Sequence, residues 1–175
     1  MVDTVDAVEA EYPDANITLH VGFLMMPEYT LSTFSTAISV LRMANRLSGR
    51  ELYRYSVFSL DGEPLSSSSG IEIRLDGSLK SVDQMNVLIV CGGYNVKDYC
   101  TKPVLDELRA MAKKKIPLGG MCTGSYVLAA AGLLDGYRST IHWENIASMR
   151  EQFPKLNIGS SLFVIDRDRY TCSGG

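Results

Sequence analysis

Seven residues constrain this chain more than any others: Gly119-Gly120-Met121-Cys122-Thr123-Gly124-Ser125. A short apolar run with a proline near its start (Ile116, Pro117, Leu118) leads into them, and the largely apolar residues 126–134 beyond them are helix-like. A strand, a tight glycine turn and a helix, in that order, form a nucleophile elbow, here G-x-C-x-G with cysteine where hydrolases often carry serine. The glycines let the backbone bend sharply and approach a ligand closely. The pattern predicts Cys122 at the top of a sheet, with the amino end of the next helix and its unpaired N–H groups aimed at the sulfur. That setting favours thiolate over thiol. The competing reading of a cysteine after a strand is a small buried hydrophobe. The flanking glycines and the helix behind argue instead for exposure at a pocket.

The same alternation runs along the rest of the chain. Residues 17–26 are nearly all apolar, interrupted by Thr18, His20 and Gly22, as a strand buried on both faces requires. From Thr30 the period changes. Leu31, Phe34, Ile38, Leu41 and Leu47 are predicted on one helical face, with Arg42, Asn45 and Arg46 largely off it and Gly49 as the stop. Residues 53–60 read as the next strand, 61–64 as a turn, and 66–70 as a polar surface loop before strand-like residues resume at Ile71. Residues 87–90 form another buried strand, ending in Cys91-Gly92-Gly93. A second helix is predicted over 102–115, with Pro103 in its first turn. Its lysine run at 113–115 suits the carboxyl end of the dipole and reads as a solvated helix end, not a binding patch. After the elbow come an extended piece at 139–142, a helix at 143–153, and a hairpin of 162–166 with 170–172 around Arg167-Asp168-Arg169. Strands alternating with helices imply an α/β domain with a mostly parallel sheet covered on both faces. Such sheets bind ligands at the carboxyl ends of their strands, where Cys91-Gly92-Gly93 and Cys122 both fall.

A length of 175 residues fits one domain with a sizeable core. We read residues 1–15 as a disordered lead and 16–175 as the domain. The net charge of −3 argues against this segment gripping nucleic acid by itself, because phosphate neutralisation needs a basic face. No run approaches the roughly eighteen apolar residues of a membrane span, and the acidic, polar start lacks a signal pattern, so a cytoplasmic protein is expected. Four cysteines without a C-x-x-C pair and two histidines argue against zinc. No cofactor is expected, and the cysteines should be free thiols in a reducing compartment. The closing Ser173-Gly174-Gly175 follows a strand, where small residues usually introduce another element. The chain is therefore expected to be part of a longer polypeptide.

Several residues are candidates for a site around Cys122. His142 is the better-placed histidine for pairing with it, raising the thiolate fraction and supplying a general base; the alternative is a structural histidine in a turn. His20, inside the first strand, is read as structural. Gly92 and Gly93 expose backbone N–H groups at a strand end, and with the N–H of Thr123 would cradle a carbonyl or carboxylate. An ordinary strand-to-loop turn is the alternative. Tyr94 and Asn95 would line the same mouth. Trp143 is read either as a pocket wall or as core. Cys91, Cys100 and Cys172 are read as structural small residues.

An apolar strand ending in Gly-Gly, the G-x-C-T-G turn, Ala131-Gly132-Leu133-Leu134-Asp135-Gly136 and the Thr140-x-His142-Trp143 motif together resemble the ThiJ/PfpI superfamily. The resemblance covers residues 17–175. It implies the class I glutamine amidotransferase-like, flavodoxin-like fold, a three-layer αβα sandwich with a mostly parallel central sheet. Residues 122–136 with His142-Trp143 look most like the amino-terminal domain of AraC-type transcriptional regulators. Pro27, the helix beginning near Leu31, and residues 41–53 are similar to the group responding to arginine, carnitine or glycine betaine. This branch implies a ligand-sensing homodimer that reaches DNA only through a following helix-turn-helix domain, with no membrane partner. Its small-molecule effector, amino-acid-like or a quaternary-ammonium carboxylate, would sit over Cys122, Thr123, Gly92, Gly93, Tyr94, His142, Trp143 and Thr33. One departure bears on activity. Enzymatic members place a carboxylate just after the first strand, against the cysteine, whereas here Thr30 or Thr33 stands there and Glu28 falls nearer the strand end. Losing a proton carrier typically costs a factor of about a hundred to ten thousand in rate, which favours binding over turnover. Two alternatives stay open: a cysteine hydrolase, hydratase or glyoxalase using Cys122 and His142, and a redox sensor that oxidises Cys122 to sulfenic acid.

Overall fold

The computed structural model describes residues 17–82 and 84–174; the lead expected over residues 1–15 lies outside them. The elements in chain order are β1 (Leu19–Met25), α1 (Leu31–Ser48), β2 (Tyr53–Ser59), β3 (Gly77–Ser78), β4 (Val87–Cys91), α2 (Lys102–Lys113), β5 (Leu118–Met121), α3 (Gly124–Ala130), β6 (Arg138–Ser139), α4 (Ile146–Gln152), β7 (Asn157–Ile158), β8 (Phe163–Asp166) and β9 (Arg169–Cys172). Seven strands form one sheet in the order β3-β2-β1-β4-β5-β9-β8. All pairs in it are parallel except β8 with β9, the expected hairpin, whose turn narrows to Arg167-Asp168. β6 and β7 form a separate two-stranded ladder.

Register brings the chemistry to one rim. Met25 pairs with Cys91, Cys91 with Met121, and Met121 with Cys172, so four carboxyl ends lie side by side. The next residues of each strand, including Gly92 and Cys122, therefore emerge together.

The two faces of the sheet are covered differently. On one, Val104, Leu108 and Met111 of α2, Val127 and Leu128 of α3, and Met149 of α4 close over Leu24, Leu88, Val90 and Leu118. On the other, α1 alone packs Phe34 against Val21, Phe23, Met25, Val57 and Cys91. Helices on both faces of a mostly parallel sheet make this the expected three-layer α/β fold. Among the described residues no helix is long and apolar enough to cross a membrane.

Two placements in α1 differ from the helical reading. Leu47 is 79% exposed, because it sits six residues beyond Leu41 and has rotated off the buried face. Asn45 instead turns inward: its side chain donates to the Tyr53 carbonyl at 2.7 Å and accepts the amides of Leu52 and Tyr53, both at 2.9 Å. It staples α1 to the start of β2. Gly49 ends the helix at φ 67°, as expected. His20 is structural, its Nε2 2.9 Å from Ser56 Oγ.

Candidate functional site

The bend at the end of β5 is made by the cysteine and not by the glycines. Gly119 and Gly120 lie within the strand, while Cys122 takes a left-handed φ of 56°. A non-glycine residue there costs about 1–3 kcal/mol and persists only when its surroundings fix it. Here the Cys122 amide donates to the Cys172 carbonyl at 3.1 Å, and its carbonyl accepts the His142 amide at 3.3 Å. The glycines are spacers for α3. A Cβ at Gly120 would meet Ser125 N at 2.5 Å, and one at Gly124 would overlap the Val90 carbonyl oxygen. The amino end of α3 thus rests directly on strand backbone.

The thiol does not have the environment expected of a nucleophile. Burial raises the Cys122 pKa, and it outweighs the lowering effect of the Thr30 hydroxyl, 3.5 Å from Sγ, and of the Thr123 amide. α3 has only seven residues, so its dipole adds little to offset desolvation. The thiol form is favoured, contrary to the sequence expectation. Thr30, not Thr33, meets the sulfur. Thr33 is buried on α1, beyond Gly174: a Cβ added at Gly174 would stand 3.0 Å from Cys122 Cβ and 3.3 Å from Thr33 Oγ1. The Glu28 carboxylate is engaged elsewhere, accepting Asn95 Nδ2 at 2.9 Å and the Tyr99 hydroxyl at 3.2 Å. The expected Cys–His pair does not form among the described contacts. His142 reaches Cys122 through its backbone, while its ring Nδ1 lies 3.7 Å from Glu144 Oε2 and its centroid 5.7 Å from that of Trp143.

A cavity of about 600 Å³ opens over this rim, within the range of small-molecule sites. Of the residues expected to hold a ligand, Cys122, Thr123, Gly93, Tyr94, His142 and Trp143 line it, together with Asn95. Gly92 and Thr33 do not. The Gly92 amide is spent on the Met121 carbonyl at 3.2 Å, so the proposed cradle loses that donor. A Cβ at Gly92 would overlap Gly124 N, which makes this glycine another packing spacer. Trp143 and Tyr94, 70% and 71% exposed, stand at the mouth, so Trp143 is wall and not core.

The remaining lining adds charge and hydroxyls. Ser68, Thr30, Lys97, Asp98 and Glu144 face the cavity. Sequence reasoning weighed Thr30 and missed the others, which arrive on three separate loops with no shared spacing to betray them. Lys97 is held in place: its Nζ donates to Ser148 Oγ at 2.9 Å and lies 5.5 Å from the Tyr126 ring centroid. Thr123 Oγ1 donates to the Gly93 carbonyl at 2.7 Å, tying the two strand-end loops together. Exposed aromatic faces beside carboxylates favour a cation, whereas Lys97 and the Thr30 hydroxyl suit an anion. Among the described residues, no group of His, Cys, Asp or Glu is arranged to hold a metal ion.

Comparison with known proteins agrees with this architecture. The model of the DJ-1/PfpI family matches residues 20–174. The HTH-type transcriptional regulator GbdR of Pseudomonas aeruginosa is 44% identical over 155 residues, covering 89% of this chain and 42% of the relative. The HTH-type transcriptional regulator CdhR of the same organism is 40% identical over 153 residues, covering 87% of this chain and 45% of the relative. The chain thus spans less than half the length of these two regulators. A solved AraC family transcriptional regulator from Pseudomonas putida superposes with a TM-score of 0.79 at 31% identity, over 89% of this chain and 84% of that one.

Proposed function

The chain belongs to the DJ-1/PfpI family, and from that premise we propose that it is the effector-sensing part of an AraC-type transcriptional regulator. The reading rests above all on the Thr30–Cys122 contact: a hydroxyl stands against the thiol, and among the described residues no carboxylate hydrogen-bonds to it, Glu144 acting on it only through its charge. Without an acid hydrogen-bonded to the sulfur to carry protons, and with the thiol form favoured by burial, the site is suited to recognition and poorly suited to turnover. The similarity to regulators, which are longer than this chain, supports the same role. In this reading residues 16–175 form the sensing domain of a homodimeric cytoplasmic protein. DNA is read by a helix-turn-helix part outside these residues.

The ligand is a small zwitterion, an amino-acid-like or quaternary-ammonium carboxylate. Its cationic end lies between Trp143, Tyr94 and the carboxylates of Glu144 and Asp98, and its carboxylate near Lys97 and Thr30. Redox sensing through Cys122 is disfavoured by the same burial, because sulfenic acid forms from thiolate.

Isothermal titration calorimetry with a panel of amino acids, carnitine and glycine betaine tests this. One of them is expected to bind, with affinity falling about tenfold or more in Trp143→Ala, the loss of a desolvated cation–aromatic contact. Absence of binding across the panel sinks the reading. So does turnover of an amide, isonitrile or glyoxal that Cys122→Ala abolishes.

A further inference from the structure

The amino-terminal ends of the strands, at the opposite rim from the effector pocket, carry a second row of polar side chains. His20 of β1 pairs with Arg54 of β2. Asn86, just before β4, flanks His20 on its other side. The Asn86 amide donates to the His20 carbonyl at 2.9 Å, and its side-chain oxygen accepts the His20 amide at 2.7 Å. His20, Arg54 and Asn86 stand an even number of residues before Leu24, Phe58 and Leu88, which belong to the larger core cluster under α2. All three side chains therefore leave the sheet on that side.

A cavity of about 360 Å³ opens over this row, at the lower end of the range for small-molecule sites. Thr18, His20, Arg54, Gln84, Asn86 and Lys114 form its polar lining, and Met85 and Ile116 its apolar lining. Met85 has room because position 22 is glycine: a Cβ there would stand 2.6 Å from Met85 Sδ. The lysine run at 113–115 reads from sequence as a solvated helix end, and Lys113 and Lys115 fit that reading. Lys114 differs, because the backbone beyond α2 turns at Lys115, with φ 60°, and of the three only Lys114 lines the cavity.

Charge sets this cavity apart. The chain carries 20 acidic and 17 basic residues, yet among the described residues the lining holds an arginine, a lysine and a histidine and no carboxylate. Among the described residues neither Arg54 nor Lys114 forms an ion pair. Two cations facing one cavity repel each other unless a counter-charge lies between them. The neutral groups suit the same partner. Asn86 spends its side-chain oxygen on His20, which leaves its NH₂ to donate, and the Gln84 amide and Thr18 hydroxyl are donors as well.

We propose that this cavity is a second ligand site, for a small multiply charged anion: a phosphomonoester or a polycarboxylate. The planar fork of Arg54 engages two of its oxygens, and Lys114 supplies a point charge from the facing side. The site lies about 17 Å from the effector rim, the rise of β1 from His20 to Met25. A bound anion ties the start of β2 to the end of α2. The proposal does not depend on the effector reading.

Titration of the protein with glycerol 3-phosphate and with citrate at constant ionic strength, followed residue by residue through amide NMR shifts, tests this. At least one of the two is expected to saturate and to move the amides of His20, Gln84, Asn86 and Lys114. Arg54→Gln and Lys114→Gln should each weaken binding about tenfold, the loss of a charge-assisted hydrogen bond. Both residues are exposed, so folding is not at stake. Lys113→Gln, which removes a neighbouring charge outside the cavity, should leave binding unchanged. Tighter binding of glycerol 3-phosphate assigns the phosphomonoester, and of citrate the polycarboxylate. Saturation by neither overturns the proposal. So does equal weakening in Lys113→Gln, which assigns the effect to diffuse surface charge, or shifts confined to Tyr94 and Trp143, which assign the anion to the effector pocket. Binding of a DNA duplex at Arg54 and Lys114, with neither small anion bound, overturns it as well.

Discussion

The two faces of the central sheet are built from similar strands but differ in how completely they are closed. Under α2, α3 and α4, twenty buried side chains form one cluster among the described residues, whereas seven form the cluster under α1. Each fully buried large side chain contributes about 1.5–3 kcal/mol relative to exposure, so the first face carries most of the stability. The α1 face gives up burial over β9 and β8, where Tyr170, Ile165 and Phe163 are exposed, and the residue before α1, Thr30, lines the pocket.

This contrast can be broken by substitution. Leu108→Ala on the closed face should have the largest effect, about 4 kcal/mol in urea unfolding, because Leu108 is fully buried and the void cannot collapse onto flexible neighbours. Gly124→Ala follows at about 3 kcal/mol, since its Cβ would overlap the fixed Val90 carbonyl oxygen. A loss below about 1 kcal/mol for either would show that the closed face is looser than its packing indicates.

Alkaline pH should have a smaller effect that sharpens the comparison. Burial raises the Cys91 thiol strongly and pushes Cys100 up to about 11. The unfolded chain releases those protons first, near pH 8.5. Their contribution is therefore complete below that pH and is lost as pH rises through the folded values. The melting temperature should drop by about 5 °C between pH 8 and 10.5. Cys91→Ala and Cys100→Ala should each flatten that drop by a similar share up to pH 10.5, because both folded thiols still hold their protons there; only above about pH 11 does the contribution of Cys100 level off while that of Cys91 goes on falling. A drop unchanged in both variants would remove burial of the thiols as its cause. Ile165→Ala, on the exposed side of β8, should have the smallest effect, within about 0.5 kcal/mol, because an exposed side chain has little burial to lose. A value near that of Leu108→Ala would mean that this side of β8 is already covered.

Much of the fold was legible because its signals are local. The period change at Thr30, the stop at Gly49, Pro103 near the start of α2 and the hairpin around Arg167-Asp168 are each set within a few residues. The pocket was legible in part. Cys122, Thr123, Gly93, Tyr94, His142 and Trp143 converge on it because all follow strand ends or the elbow segment. Ser68, Lys97, Asp98 and Glu144 come from loops whose paths no periodicity encodes. Asn45 was misread because its hydrogen bonds go to Leu52 and Tyr53, beyond the end of its own helix.

The sequence by itself determined an alternating α/β chain with a cysteine at a strand–helix bend. Those features follow from local backbone preference and the period of apolar residues. Only the tertiary structure decided that Thr30 meets the sulfur, that Gly92 and Gly120 are spacers between backbone segments, and that burial raises the Cys122 thiol. Each of these depends on distances between residues far apart in sequence and on how deeply the assembled layers exclude water. The half-open face was decided at the same level. Alternation marks which residues share a side, but the order of the strands determines which of them α1 covers.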